Sequence, residues 1–173
     1  PYRSEGPEAP VQVMLITSRG TGRWVMPKGN IGPGVAPHNA AAAEAEEEAG
    51  IIGAVCPVPL GSYRYRKRRG SGASLMVDVD VFPLHATQIL DSWKEQDQRE
   101  RRWFTLGEAA DAVDEEDLGE LIRSFATSEF KTAAARTRFM GAVTEKSGIK
   151  AMFAWFQRLL PKTGNFFEMF EAQ

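Results

Sequence analysis

Residues 27–51 read PKGNIGPGVAPHNAAAAEAEEEAGI. The loop-like first part, up to Pro37, holds three glycines and three prolines, and this composition predicts a backbone that approaches another group closely. A helix is predicted to begin at Pro37, because proline suits the first helical position, and to end at Gly50, because glycine suits a left-handed cap. The segment is therefore a glycine-rich loop that leads directly into an acidic helix.

The acidic side of this helix groups three carboxylates. At about 100° per residue, Glu44, Glu47 and Glu48 fall within an arc of roughly 100° that is predicted to face solvent, while alanines on the other side allow close packing on a sheet. Like charges at these spacings cost about 0.2–0.5 kcal/mol each, and carboxylates near a helix C-terminus cost about 0.3–1 kcal/mol more. No lysine or arginine lies between Lys28 and Arg64 to offset them.

A hard divalent cation would offset these negative charges. Clustered carboxylates with a nearby backbone carbonyl are the ligands that Mg²⁺ and Mn²⁺ prefer. The alternative is a solvated surface helix, since alanine and glutamate are both strong helix formers. The glycine-rich loop in front of the helix favours the metal site over that alternative.

Apolar stretches on both sides of this segment predict a sheet. Residues 11–16 and 23–26 flank turn-forming sequence and predict one hairpin, and residues 63–69 and 75–82 predict a second. Apolar residues recur at helical spacing in 118–125 and predict a helix that covers the sheet. Strands and helices in this order indicate an α/β layered domain.

A basic run, YRYRKRR at 63–69, offers cations to an anionic substrate. It carries five cations in seven residues, divided between the two faces of a strand, and arginine adds two-point contacts to phosphate. The alternative is an edge strand whose charges protect it against aggregation. The metal site predicted in the same domain favours substrate binding. The candidate substrate-binding residues, including two that flank the WVMP sequence, are Arg23, Lys28, Arg64, Arg66 and Lys67.

Residues 27–51 resemble the signature box of the Nudix hydrolases, Gly-x5-Glu-x7-Arg-Glu-apolar-x-Glu-Glu-x-Gly-apolar. The positions that match in register are Gly29, Glu44, Ala45, Glu47, Glu48, Gly50 and Ile51. The resemblance implies an α/β/α sandwich with a mixed sheet. It also implies that the three glutamates and the Gly29 carbonyl bind Mg²⁺ or Mn²⁺, and that the chain hydrolyses diphosphate linkages.

Two positions depart from the box. Val35 stands where the family has its first glutamate, and Ala43 stands where it has arginine. That arginine normally pairs with box carboxylates and orients them, so the resemblance implies either a reduced activity or support from elsewhere in the chain.

The sequence outside the box resembles one branch of the family, over about residues 11–125. The PKG, GSYRYRK and WxE…RxRRW segments are similar to those of diphosphoinositol polyphosphate and diadenosine polyphosphate hydrolases. Enzymes of the family often use an additional catalytic carboxylate from such a loop, and the resemblance implies Glu95 here, with Glu100 second. The alternatives are a non-catalytic sensor of a phosphorylated ligand, and a pyrophosphatase of nucleoside diphosphate sugars or nucleotides.

The overall composition excludes several classes of protein. The 173 residues carry 21 basic and 23 acidic side chains, so binding to a nucleic-acid polymer is not indicated. No run of 18 apolar residues predicts a membrane span. The single cysteine, Cys56, predicts a reducing, cytoplasmic location.

The C-terminal sequence changes in character. Residues 1–128 are predicted to form the Nudix-like domain, 129–150 a polar connector, and 151–173 a helical extension or the start of a truncated second domain. Five of the ten phenylalanines follow Lys150. Residues 152–173 resemble the start of PhoU-like accessory proteins of phosphate transport, which implies a phosphate-handling partner. Homodimerisation through an amphipathic surface is the alternative.

Overall fold

The computed structural model describes residues 1–4, 9–68 and 74–125. Its strands and helices, in chain order, are β1 Tyr2–Arg3, β2 Gln12–Thr17, β3 Trp24–Val25, α1 Pro37–Ala49, β4 Ile51–Val55, β5 Gly61–Arg68, β6 Ser74–Val81, β7 Leu84–Ile89, β8 Arg101–Thr105, α2 Leu106–Ala112 and α3 Glu116–Ser124.

A mixed sheet forms the centre of the fold. Its strands run in the order β3-β2-β1-β7-β4, and β8 pairs along the length of β2. The pairing of β1 with β7 is parallel, whereas the other pairs of this sheet are antiparallel. Strands β5 and β6 form a separate antiparallel hairpin in which Arg64 lies opposite Asp78. Both predicted hairpins and the mixed sheet are confirmed.

Strand β2 is buried on both faces, which explains its uninterrupted apolar sequence. Val13 and Leu15 point into a cluster with side chains from α2 and α3, while Met14 and Ile16 point into a second cluster with α1. Helices therefore cover both faces of the sheet. The predicted α/β/α sandwich is confirmed.

Helix α1 has the predicted boundaries. Pro37 is its first residue, and Gly50 caps it in the left-handed conformation, at φ 63° and ψ 35°. Ala45 and Ala49 are fully buried against the sheet, as the alanine spacing predicts. The helix predicted near residue 118 is α3, which buries Leu118 and Ile122. Strands β1, β4 and β7 and helix α2 have no counterpart among the predicted elements.

The predictions for residues 129–150 and 151–173 lie outside the described residues. None of the helices in the described part of the chain is both long and apolar enough to cross a membrane.

Candidate active site

A cleft of about 690 Å³ lies between the loop that precedes α1, the acidic side of α1 and the β5–β6 hairpin. Its polar lining includes Arg19, Lys28, Glu44, Glu48, Lys67 and Arg99, and its less polar lining includes Ile31, Tyr63, Tyr65, Leu75 and Val77. The cleft therefore brings part of the basic strand β5 together with the glycine-rich loop and the acidic helix that follows it.

Glu44 faces the glycine-rich loop at Gly29. A Cβ atom built on Gly29 would overlap the Glu44 carboxylate, so the loop and the carboxylate approach as closely as glycine permits. Burial raises the pKa of the Glu44 carboxyl, and the negative charges of Glu48, Glu47 and Glu95 raise it further. Ionisation of Glu44 therefore costs more than that of a free carboxyl, and a bound cation would offset this cost.

Glu48 is buried, contrary to the prediction that all three carboxylates face solvent. Its Oε2 accepts a hydrogen bond of 2.9 Å from the Lys28 backbone N–H, and its Oε1 pairs with Arg99 Nη2. Burial raises the pKa of the Glu48 carboxyl, while the Lys28 N–H and the Arg99 charge act in the opposite direction. Both carboxylate oxygens are held, so the side chain has a fixed orientation.

Arg99 connects Glu48 to Glu95. Its Nε donates to Glu95 Oε2 at 2.6 Å and its Nη1 donates to the Thr17 carbonyl at 3.0 Å. Arg19 also donates to Glu95, through Nη1 to Oε1 at 3.2 Å. Of the two carboxylates considered outside the box, Glu95 is therefore the one connected to Glu48 through Arg99, whereas Glu100 is exposed immediately before β8.

Glu47 is half exposed and pairs with Lys94. The neighbouring sequence offers no cation to the three glutamates, since no lysine or arginine lies between Lys28 and Arg64. Lys94 and Arg99 supply that charge from 47 and 51 residues away. Protein cations from outside the helix therefore offset part of this charge.

The C-terminal turn of α1 is fixed by the same segment. Glu95 N–H donates to the Glu47 carbonyl at 3.2 Å, Trp93 Nε1 donates to the Glu48 carbonyl at 3.2 Å, and Arg101 Nη1 donates to the Ala49 carbonyl at 2.7 Å. These donors satisfy carbonyls that a helix end leaves free, and the arginine charge also favours this end of the helix dipole. The segment from Trp93 to Arg101 therefore holds both the helix and Glu95.

The predicted substrate-binding cations divide into two groups. Lys28 and Lys67 line the cleft, and the Lys28 ammonium lies 5.3 Å from the Tyr65 ring centroid. Burial lowers the pKa of Lys28, against the attraction of Glu48.

The other three cations have different surroundings. Arg64 and Arg66 alternate with the tyrosines of β5 and do not line the cleft, although Asp78, with which Arg64 pairs, does. Arg23 pairs with Asp114 and Glu115 at the α2–α3 connection. The sequence predicts that Arg23, Arg64 and Arg66 bind substrate. The structure places all three outside the lining of the cleft.

The profile of the NUDIX domain matches residues 5–125. The chain belongs to the Nudix family. It is 32% identical over 128 residues to Nudix hydrolase 13, mitochondrial, from Arabidopsis thaliana, covering 68% of this chain and 61% of the relative. It is 32% identical over 111 residues to diphosphoinositol polyphosphate phosphohydrolase 2 from Rattus norvegicus, covering 62% of this chain and 56% of the relative. The chain thus spans less than two thirds of the length of these relatives.

A solved structure supports the Nudix fold. A C. elegans Ap4A hydrolase in a binary complex superposes with a TM-score of 0.52 at 23% identity, covering 76% of this chain and 92% of that chain. At this identity the likeness concerns the fold.

The donor chemistry of the Nudix site fits a hard divalent cation. The family generally uses divalent metal ions, and the candidate ligands are carboxylate oxygens and a backbone carbonyl. Within residues 1–4, 9–68 and 74–125, no three His, Cys, Asp or Glu side chains are arranged as a ready-made metal cage. Glu47 and Glu48 are paired with Lys94 and Arg99 instead.

Four residues of the site were not identified from the sequence: Arg19, Lys94, Arg99 and Tyr65. A local signal existed for Arg99, because it follows Glu95 by four residues and this spacing favours an ion pair. The position of Lys94 and Arg19 depends on tertiary contacts.

Replacing Gly29 by alanine should reduce turnover by about 100-fold, as expected when a catalytic group is displaced by about 1 Å. The new Cβ would displace the Glu44 carboxylate, whose flexible side chain can move at little cost in stability. Steady-state kinetics and urea unfolding would measure the two effects. Gly32→Ala is the matched control, because its Cβ would meet Val35 at an ordinary 3.5 Å. Equal activities of the two variants would contradict the role of Gly29.

Proposed function

We propose that this Nudix chain hydrolyses a phosphoanhydride linkage in a polyphosphorylated small molecule, in a reaction that depends on Mg²⁺ or Mn²⁺. The observation that carries the proposal is the cleft itself, which is lined by the carboxylates of Glu44 and Glu48 and also by Lys28 and Lys67. Such an arrangement suits a substrate whose phosphates must meet both a metal ion and protein cations.

The proposed metal ligands are the Gly29 carbonyl, Glu44, Glu47 and Glu48. The bound cation would polarise the phosphoanhydride and neutralise the charge that develops on it. Glu95 is the proposed catalytic carboxylate, because Arg19 and Arg99 hold it beside Glu48, where it can orient a water molecule towards phosphorus.

The wall formed by the hairpin supports a choice of substrate class. Tyr65 offers a ring and Lys67 offers a cation along the same strand face, on which Tyr63 is buried in the core. A dinucleoside polyphosphate would use both features, and a diphosphoinositol polyphosphate would use the cations. Names of the similar proteins include both kinds of hydrolase.

Phosphate release from a graded panel of substrates would test this function. We expect turnover of at least one dinucleoside or diphosphoinositol polyphosphate with Mg²⁺ or Mn²⁺, exceeding turnover of a nucleoside diphosphate sugar. Exclusive turnover of the sugar nucleotide would favour the nucleotide pyrophosphatase alternative. Turnover of none of them would contradict the proposed function.

A sensor that binds a phosphorylated ligand with little catalysis is the second candidate. Val35 and Ala43 favour it, because both are exposed and neither can supply the charge found there in the box pattern. Tight binding of a panel substrate by the protein in Mg²⁺, with no phosphate released, would identify the sensor.

Replacing Lys67 by alanine should alter substrate preference. A charge-assisted contact contributes about 1.5–3 kcal/mol, so we expect a substrate with several phosphates to lose about tenfold more affinity than a nucleoside diphosphate. Arg64→Ala is the matched control on the opposite face of the same strand. KM values for both substrates and both variants provide the measurement. Equal effects of the two substitutions would contradict the assignment of the cleft-facing side.

Cytoplasmic location is also part of the proposal, supported by a single cysteine, Cys56, that is buried and free. We further propose that residues 151–173 contact a second copy of the chain or a PhoU-like partner. The phenylalanine-rich sequence supports this, and the segment lies outside the described residues.

A further inference from the structure

The arginine of the box pattern has no counterpart on α1 itself. Ala43 occupies its position, is exposed, and has no polar side-chain atom. The box glutamate Glu48 is nevertheless paired with a buried guanidinium, that of Arg99, from the loop before β8.

We propose that Arg99 is the positioning residue of the acidic site and replaces the missing box arginine from outside the helix. The inference rests on the proposed function, since it concerns the same carboxylates. Arg99 fixes the position of Glu48 relative to Glu95. It thereby sets the geometry between a proposed metal ligand and the proposed catalytic carboxylate.

The three contacts of Arg99 point in three directions. Nη2 reaches the helix at Glu48, Nε reaches the loop at Glu95, and Nη1 reaches the end of β2 at the Thr17 carbonyl. The guanidinium is planar, so fixing three of its donors fixes its orientation as well as its position. Sheet, helix and loop are thus joined at one side chain.

Burial distinguishes Arg99 from the other cations of the site. The exposed fractions of the Arg99 and Glu48 side chains are 7% and 9%, and that of Glu95 is 13%. Lys94, which pairs with Glu47, is 66% exposed. Arg101 donates to backbone carbonyls at the helix end. Arg99 is therefore the buried cation that orients site carboxylates directly.

The backbone also restricts Arg99. Its N–H donates to the Glu95 carbonyl at 3.1 Å, while the two side chains pair across the same four-residue spacing. Glu95 and Arg99 therefore move together, and any displacement of one displaces the other. Three of the five N–H donors of Arg99 are engaged by protein acceptors, two of them site carboxylates, so its position determines the geometry of those carboxylates.

Arg99→Lys provides a charge-matched test. Lysine keeps the positive charge but has one nitrogen, so it cannot reach Glu48, Glu95 and the Thr17 carbonyl together. We expect Mn²⁺ affinity, measured by calorimetry without substrate, to fall by about 10–100-fold, as is typical when a group that orients metal ligands is lost. We also expect kcat to fall, while KM stays within about twofold of its value in the unmodified protein.

Two further variants sharpen the test. Arg123→Lys is the control, because Arg123 forms an exposed pair with Asp111, and it should leave Mn²⁺ affinity unchanged. Adding Ala43→Arg to Arg99→Lys supplies a guanidinium at the box position and should recover at least half of the lost Mn²⁺ binding free energy. If Arg99→Lys alone does not fold, the Mn²⁺ affinity of the double variant would be compared directly with that of the unmodified protein.

Three results would overturn the proposal. Unchanged Mn²⁺ affinity and kcat with a lower unfolding temperature would make Arg99 merely structural. A raised KM alone would make it a substrate contact, and failure of Ala43→Arg to restore affinity would show that it does not replace the box arginine. Mn²⁺ binding that depends on Arg99, in a protein that hydrolyses no diphosphate, would contradict the proposed function but support this role.

Discussion

Replacing Glu48 by glutamine should reduce turnover by more than ~100-fold, since even groups that only orient metal ligands change activity by about 10–100-fold. The substitution should also lower the free energy of unfolding by roughly 1–3 kcal/mol. Glu48 accepts from Arg99 and from the Lys28 N–H, and a neutral amide cannot satisfy both donors as a carboxylate does. Arg99 keeps Glu95 as an ion-pair partner in this variant, and this limits the decrease in the free energy of unfolding.

Glu46→Gln is the matched control for this prediction. Glu46 lies on the same helix but is exposed on another side, so both turnover and stability should stay close to those of the unmodified protein. Steady-state kinetics and urea unfolding would measure both variants. Full turnover of Glu48→Gln, with a metal still required, would contradict the assignment of Glu48 as a ligand.

Glu95→Gln should lower kcat by about 10²–10⁴-fold, the range for loss of a general acid or base, with little change in KM. Arg19 and Arg99 hold the Glu95 carboxylate, and its backbone N–H is fixed to the Glu47 carbonyl. The amide would keep the shape of the side chain while removing its charge and its ability to accept a proton.

Glu100→Gln separates catalysis from a general charge effect. Glu100 lies five residues further along and is exposed, so its substitution should leave kcat nearly unchanged. Rates from single-turnover kinetics with each variant would report on the chemical step. A large loss in Glu100→Gln, together with normal turnover in Glu95→Gln, would assign the catalytic carboxylate to Glu100.

Local signals in the sequence predicted much of the fold. The start of α1 at Pro37 and its end at Gly50 follow from backbone preferences that act over one or two residues. The apolar run in β2 indicated a strand but not that both of its faces are buried. Helix α2 was missed although Thr105 and Glu108 form a reciprocal cap at its start.

Tertiary contacts determined what the sequence did not reveal about the site. Burial of Glu48 depends on Arg99, which is 51 residues away, and helical spacing alone contains no such information. The alternation of side chains along β5 correctly predicted that Arg64 and Lys67 lie on opposite faces of the strand. It did not indicate which of these faces borders the cleft. The tyrosines supplied that signal, because Tyr63 and Tyr65 pack inward and carry Lys67 to the same side.

The dependence of turnover on free metal is the most direct test of the central claim, that the box carboxylates hold a divalent cation needed for phosphoanhydride hydrolysis. Turnover of the best panel substrate would be measured from zero metal, with a chelator, to millimolar Mg²⁺ or Mn²⁺. We predict no turnover in the chelator, a saturable rise with metal, and a curve for Glu44→Gln that is displaced to about tenfold or higher metal concentration. Turnover that persists in the chelator, or the same metal dependence in Glu44→Gln, would contradict the claim.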